Sequence, residues 1–163
     1  MMDTQELTQE LGQPGAQELL RSAGLLRLAY NGTDGLPRVI PLGFFWTGDS
    51  IVVCTATTSP KARGLAQHPE VAITIDTGAT PAAAKSLQLR GVAELETVDG
   101  IPKEYLAAAQ KSQDDLDVVE FEQAVRAMYK QMVRISVQPT WARFYDFGAG
   151  RFPEFLTKLA SEA

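Results

Sequence analysis

The chain has 163 residues, 45% of them hydrophobic, enough for one well-buried core and short for two. Its net charge of −5 lacks the positive excess that phosphate backbones select, which argues against general nucleic-acid binding. A single cysteine, Cys54, and a single histidine, His68, exclude an intrachain disulfide and a zinc site built from several thiolates or imidazoles.

Residues 1–15 are polar and acidic, unlike a signal or transit peptide, and are expected as a flexible leader, with 16–163 forming one domain. "AQELLRSAG" then reads as a short amphipathic helix that stops at Gly24. "LLRLAYN", the turn "NGTDG" and "LPRVIPLGFFW" give a hairpin, and after "TGDS" the strand "IVVCTAT" completes an expected antiparallel meander. "SPKARGLAQHP" is helical and "EVAITID" resumes the sheet.

"TGATPAAAKS" is a loop of small residues. From Ser86 to Val98, Leu87, Leu89, Ala93 and Leu95 share one side of a strand, while Gln88, Arg90, Glu94 and Glu96 share the other. Gly91 in its middle predicts a bulge or a close backbone approach. Two helices follow, the second placing Val118, Phe121, Val125, Met128 and Met132 at spacings of three and four. "MVRISVQPTWARFYDF" returns to strand alternation with a break at Pro139, and the tail forms a last helical turn or two. About six antiparallel strands with few helices make a mainly β (α+β) protein, a closed or nearly closed barrel, since an open sheet would expose a long edge. The longest apolar run, "VIPLGFFW", is too short to cross a bilayer, and a cytoplasmic location is expected.

Charge is unevenly spread along this framework. Arg21 to Arg63 carries +3, and Glu94 to Glu122 carries −7. Within the basic part, Ser59 and Pro60 open a helix whose free N–H groups lie close to Lys61, Arg63 and the hydroxyls of Thr55, Thr57, Thr58 and Ser59. Such a tip is a ready phosphate site. The plain alternative is that Ser59 only caps a connector helix while Lys61 and Arg63 sit in solvent. There is no P-loop and no Gly-x-Gly-x-x-Gly, so neither a Walker site nor a Rossmann fold has support.

The order "GLPRVIPLGFFWTGDSIVVCTATTSPKARGLAQHPEVAITI" resembles the core of the pyridoxamine 5'-phosphate oxidase-like, FMN-binding split-barrel superfamily, and most of all its bacterial flavin and deazaflavin oxidoreductase branch. The likeness runs well from Leu25 to Val98 and more loosely through the closing strand. It implies a six-stranded split barrel and a homodimer with a cofactor site at each interface. It also implies that Arg38, Val39, Ile40 and Pro41 lie along the flavin ring and that Thr55, Thr57, Ser59, Lys61 and Arg63 hold the ribityl chain and phosphate. Gln88 and Arg90 would reach the ligand from a neighbouring strand, and Trp141 with Arg143 would cover it from the second subunit. The implied cofactor is FMN, or alternatively the deazaflavin coenzyme F-420, and the chemistry is hydride or electron transfer to a small unsaturated or quinone-like acceptor, with no catalytic side chain and no metal. A non-catalytic binder that stores or senses a flavin, haem or another tetrapyrrole is the rival reading. Each residue also has a structural alternative: Trp141 as a packing residue, Arg38 as the partner of an acid, Gln88 as a side chain facing water, Cys54 as a buried small hydrophobe and His68 as a polar helix-end residue.

Overall fold

A computed structural model describes residues 2–162. The elements, in chain order, are α1 (Thr4–Leu11), α2 (Pro14–Ser22), β1 (Leu25–Asn31), β2 (Pro37–Gly43), β3 (Phe45–Trp46), β4 (Ile51–Ala56), α3 (Pro60–Gln67), β5 (Glu70–Thr77), β6 (Lys85–Asp99), α4 (Lys103–Ser112), α5 (Val118–Met128), β7 (Gln131–Asp146) and α6 (Glu154–Glu162). The fold is α+β, a split barrel with seven antiparallel strands in the order β2-β1-β5-β6-β7-β4-β3. The seventh strand arises because "LPRVIPLGFFW", expected as one strand, breaks at Phe44.

That break explains how the sheet closes. The two edge strands are halves of one bent strand, joined through Phe44, whose side chain is fully buried. β2 pairs with β1, whereas β3 pairs with β4, so the chain crosses from one edge of the sheet to the other. The expected meander is therefore corrected: β4 lies between β3 and β7, and the edges of the sheet are β2 and β3.

Alternation fills the barrel. Leu26, Leu28 and Tyr30 of β1, Val71, Ile73 and Ile75 of β5, and Leu87, Leu89 and Ala93 of β6 point into one core with Ile135, Val137, Ala142 and Phe144 of β7. At Gly91 the β6–β7 register shifts, as the sequence suggests. A Cβ there would meet the Gln138 carbonyl oxygen at 2.7 Å and Val137 Cγ1 at 2.8 Å, so no side chain fits.

Ala62 and Leu65 of α3 join this core, which makes the helix a plug on the barrel. The close fit runs through Gly64, where a Cβ would lie 2.8 Å from the Asn31 carbonyl oxygen, 3.2 Å from the Tyr30 ring and 3.3 Å from Gly32 Cα. Two of those contacts are backbone and cannot swing away. Gly64→Ala is expected to lower stability by about 1–3 kcal/mol, as overpacking does, and thermal melting checks it. An unchanged melting temperature would mean that α3 sits loosely.

Residues 1–15, expected as a flexible leader, carry α1, docked on β7. Its Glu10 carboxylate accepts the Phe144 N–H at 2.8 Å and pairs with Arg151, while Glu6 pairs with Arg143 at 2.7 Å. The acidic composition that reads as a solvated tail instead answers two arginines at the end of the barrel. The helical periodicity read from Val118 to Met132 also stops early: Met128 is exposed and Met132 is a buried residue of β7. Val125 and Met132 form a second, smaller core with Ile101, against which Phe121, Tyr105 and Cys54 pack. No helix among the described residues is long and apolar enough to cross a membrane.

Candidate functional site

The loop from β4 into α3 gathers the expected phosphate-binding residues on short sequence spacing. Thr55 is buried at the end of β4, on the same face as the core residues Ile51 and Val53. Lys61, in the first turn of α3, reaches back and donates from Nζ to Thr55 Oγ1 at 3.0 Å. Burial alone lowers the pKa of the Lys61 ammonium, and among the described residues neither Lys61 nor Arg63 pairs with a carboxylate. The first intrahelical bond of α3 is donated by Arg63 N–H to the Ser59 carbonyl at 3.3 Å, which leaves the Lys61 and Ala62 amides ahead of it, beyond the ladder. Thr57 and Arg63 flank this cluster in solvent.

Ser59 behaves differently from a simple cap. It occupies the N-cap position with extended backbone, yet its side chain makes no capping bond. Its Oγ is buried with no hydrogen-bond partner. A buried hydroxyl without a partner costs about 1–3 kcal/mol, so a group that accepted its proton would recover that energy. Buried hydroxyl, half-buried ammonium and open helix tip together form a donor-rich cluster, suited to phosphate oxygens.

A second set of expected residues lies on the outward face of the sheet. Val39, Gln88, Arg90 and Trp141 line a groove of about 440 Å³ with Arg27, Ala29 and Thr74. The strand register brings them together: Ala29 faces Val39 across β1–β2, Thr74 faces Gln88 across β5–β6, and Arg90 faces Trp141 across β6–β7. The Arg90 guanidinium lies 4.1 Å from the centre of the Trp141 ring, a cation–π contact that fixes the indole. Val39 is 67% exposed, so the groove presents an uncovered apolar surface. It includes neither Ser59 nor Lys61.

The remaining expected residues are held elsewhere. Arg38 pairs with Asp34 at 2.8 Å inside its own hairpin turn, and this contact raises the arginine's pKa. Ile40 packs against the core and Pro41 is exposed. Arg143 sits 5.6 Å from the Trp141 ring but is bound to Glu6 of α1. Cys54 is no nucleophile: burial first, then the Glu104 charge, push its thiol up to about 12. Sequence reading missed the Glu104–Arg134 pair beneath α4, because partners 30 residues apart in sequence leave no local pattern. No cluster of metal-ligating side chains occurs among the described residues.

The family model for pyridoxamine 5'-phosphate oxidase matches residues 13–143, a span that includes the α3 cluster and the whole groove. The chain belongs to this family. Among solved structures, the conserved hypothetical protein Rv2991 from Mycobacterium tuberculosis has a TM-score of 0.66 at 20% identity, covering 94% of this chain and 91% of its own. An F420 reductase has a TM-score of 0.61 at 26% identity, covering 77% of this chain and 94% of its own. The heme storage protein HutZ from Vibrio cholerae has a TM-score of 0.59 at 20% identity, covering 82% and 93%. No curated protein matches the chain in sequence. Neighbours of this fold thus include one described as an F420 reductase and one described as a heme storage protein.

Proposed function

We propose that this pyridoxamine 5'-phosphate oxidase relative is a flavin- or deazaflavin-dependent oxidoreductase, working as a cytoplasmic homodimer on a small unsaturated or quinone-like acceptor. The observation that carries this reading is the buried, unpartnered Ser59 hydroxyl at the open tip of α3, beside a lysine with no carboxylate. Haem has no phosphate to occupy such a donor-rich cradle. The lone histidine, His68, stands at the far end of α3.

In this reading Thr55, Thr57, Ser59, Lys61 and Arg63 hold the phosphate end of FMN, and backbone groups of Arg38 to Pro41 run along its ring. When bound, the ring supplies the hydride or electrons, which accounts for a site without an acid–base pair. Lys61 and the α3 tip fix its position, and buried Thr55 keeps the lysine oriented. Because the groove of Val39, Gln88, Arg90 and Trp141 is separate from the α3 cluster in one chain, a second copy is the natural source of the opposite wall. Trp141, anchored by Arg90, would then cover the ligand across the interface, and Arg143 would stand behind it.

Placement of the acidic insertion bears on the choice of cofactor. α4 covers Val52 and Cys54, on the face of β4 opposite Thr55, so its one acid, Glu104, does not line the α3 cluster. A longer anionic tail, as on F-420, meets Arg63 with no acidic wall from α4. FMN remains the first expectation because Lys61 and the helix tip suffice for one phosphate.

A visible spectrum of freshly purified protein, followed by titration with FMN and with F-420, tests the proposal. A yellow flavin spectrum, or saturable binding of either cofactor, is expected. A Soret band in purified protein with no response to either flavin would overturn it in favour of tetrapyrrole binding.

A further inference from the structure

Outside the candidate cofactor site, a cavity of about 450 Å³ lies between α2, β3 and α4, lined by Leu20, Arg21, Phe45, Trp46, Gln110 and Lys111 among others. Its charged lining is entirely positive: Arg21 from α2 and Lys111 from the last turn of α4. Neither forms a salt bridge among the described residues.

Lys111 is unusual in its own right. Its Nζ is buried, has no hydrogen-bond partner, and rests 3.3 Å from the centre of the Phe44 ring. An ammonium removed from water needs either an anion or a polar shell, and an aromatic face supplies only part of that. Burial accordingly pushes its pKa down to about 8. The nearest carboxylate on its own helix, Glu104, is two turns away and bound to Arg134.

We propose that this cavity is a binding site for a small aromatic carboxylate, its ring against Phe45 and its carboxylate drawn to Lys111 and Arg21. Lys111 has a flexible four-carbon stem, so Nζ can turn from the Phe44 face to an arriving anion. Arg21 at the exposed rim meets the same carboxylate with a planar fork. The half-buried Phe45 ring favours a planar ring over an aliphatic chain. The site is independent of the flavin assignment, since it shares no residue with the α3 cluster or the outward groove.

Isothermal titration of the full chain with benzoate tests this, with acetate and benzyl alcohol as controls for ring and charge. Saturable benzoate binding is expected, at least tenfold tighter than either control. Lys111→Met should weaken it tenfold or more, Lys111→Arg should retain most of it, and Lys61→Ala should leave it unchanged. Binding at pH 8.5 should also take up protons, seen as a dependence of the heat on buffer ionisation, and Lys111→Met should abolish that uptake. Absence of benzoate binding at millimolar concentration, or an affinity untouched in a folded Lys111→Met protein, would overturn the proposal. Loss in Lys61→Ala alone would mean that benzoate enters the α3 cluster instead, and would overturn it equally.

Discussion

Replacing Lys61 and Arg63 together by alanine is expected to weaken FMN binding by about 2–4 kcal/mol, roughly 30- to 1000-fold, for the loss of two charge-assisted contacts. The two residues should contribute unequally. Lys61 is half-buried and oriented by Thr55, so its charge is poorly screened, and Lys61→Ala should carry most of the loss. Arg63 is exposed, and the effect of Arg63→Ala should shrink as salt is raised. Flavin fluorescence titration at low and physiological ionic strength separates the two. Ser59→Ala gives an independent sign: without ligand, removing an unpartnered buried hydroxyl should leave stability unchanged or slightly higher, whereas FMN affinity should fall. A Ser59→Ala protein that binds FMN normally would remove the main support for the site, and a double alanine variant with wild-type affinity would end it.

Local chemistry made the strands legible. The "LLRLAYN" and "EVAITID" segments alternate cleanly, and β1 and β5 occupy almost those residues. Gly91 was readable for the same reason, because a glycine inside an alternating strand needs a cause, and the register shift supplies it. Phe44 was not. A break that swaps one sheet edge for the other depends on which strands lie on either side, and "LGFFW" by itself reads as continuous strand. α1 was missed through its charge: Glu6 and Glu10 look solvated until Arg143 and Arg151, more than 130 residues later, come to meet them. At the candidate site, sequence brought Thr55, Ser59 and Lys61 together because they lie within seven residues. It could not show that the Ser59 hydroxyl lacks a partner, nor that Arg38 is committed to Asp34. Both facts turn on side-chain direction, which spacing alone leaves open.

Breaking the pair beneath α4 should have the largest effect on stability. Arg134 donates through both Nε and Nη2 to Glu104 Oε1, at 3.1 and 2.9 Å, and Glu104 is only 8% exposed. Burial pushes the Glu104 pKa up, but the hydrogen bonds and charge of Arg134, with a backbone hydrogen bond and the Lys103 charge, outweigh it, so the carboxyl ends below its ordinary value. The pair's contribution is therefore complete above the unfolded carboxylate pKa, near 4.5, and fades as pH falls through the lower folded value. Arg134→Met leaves a buried carboxylate whose burial is opposed only by a backbone hydrogen bond and the Lys103 charge. It is expected to cost about 2–4 kcal/mol at pH 7, the lower part of the range for a broken buried pair because the Arg134 side chain is 26% exposed. In that variant the sign reverses: the folded pKa rises above the unfolded one, protonation relieves the strain, and the deficit against wild type should narrow between pH 7 and pH 5. Adding Glu104→Met should recover most of the loss, since a well-packed apolar pair can replace a buried ion pair. Urea unfolding at both pH values measures each of these quantities. A deficit that stayed constant with pH, or a double variant no better than Arg134→Met, would show that Arg134 holds α4 through packing of its stem and that the Glu104 charge is incidental.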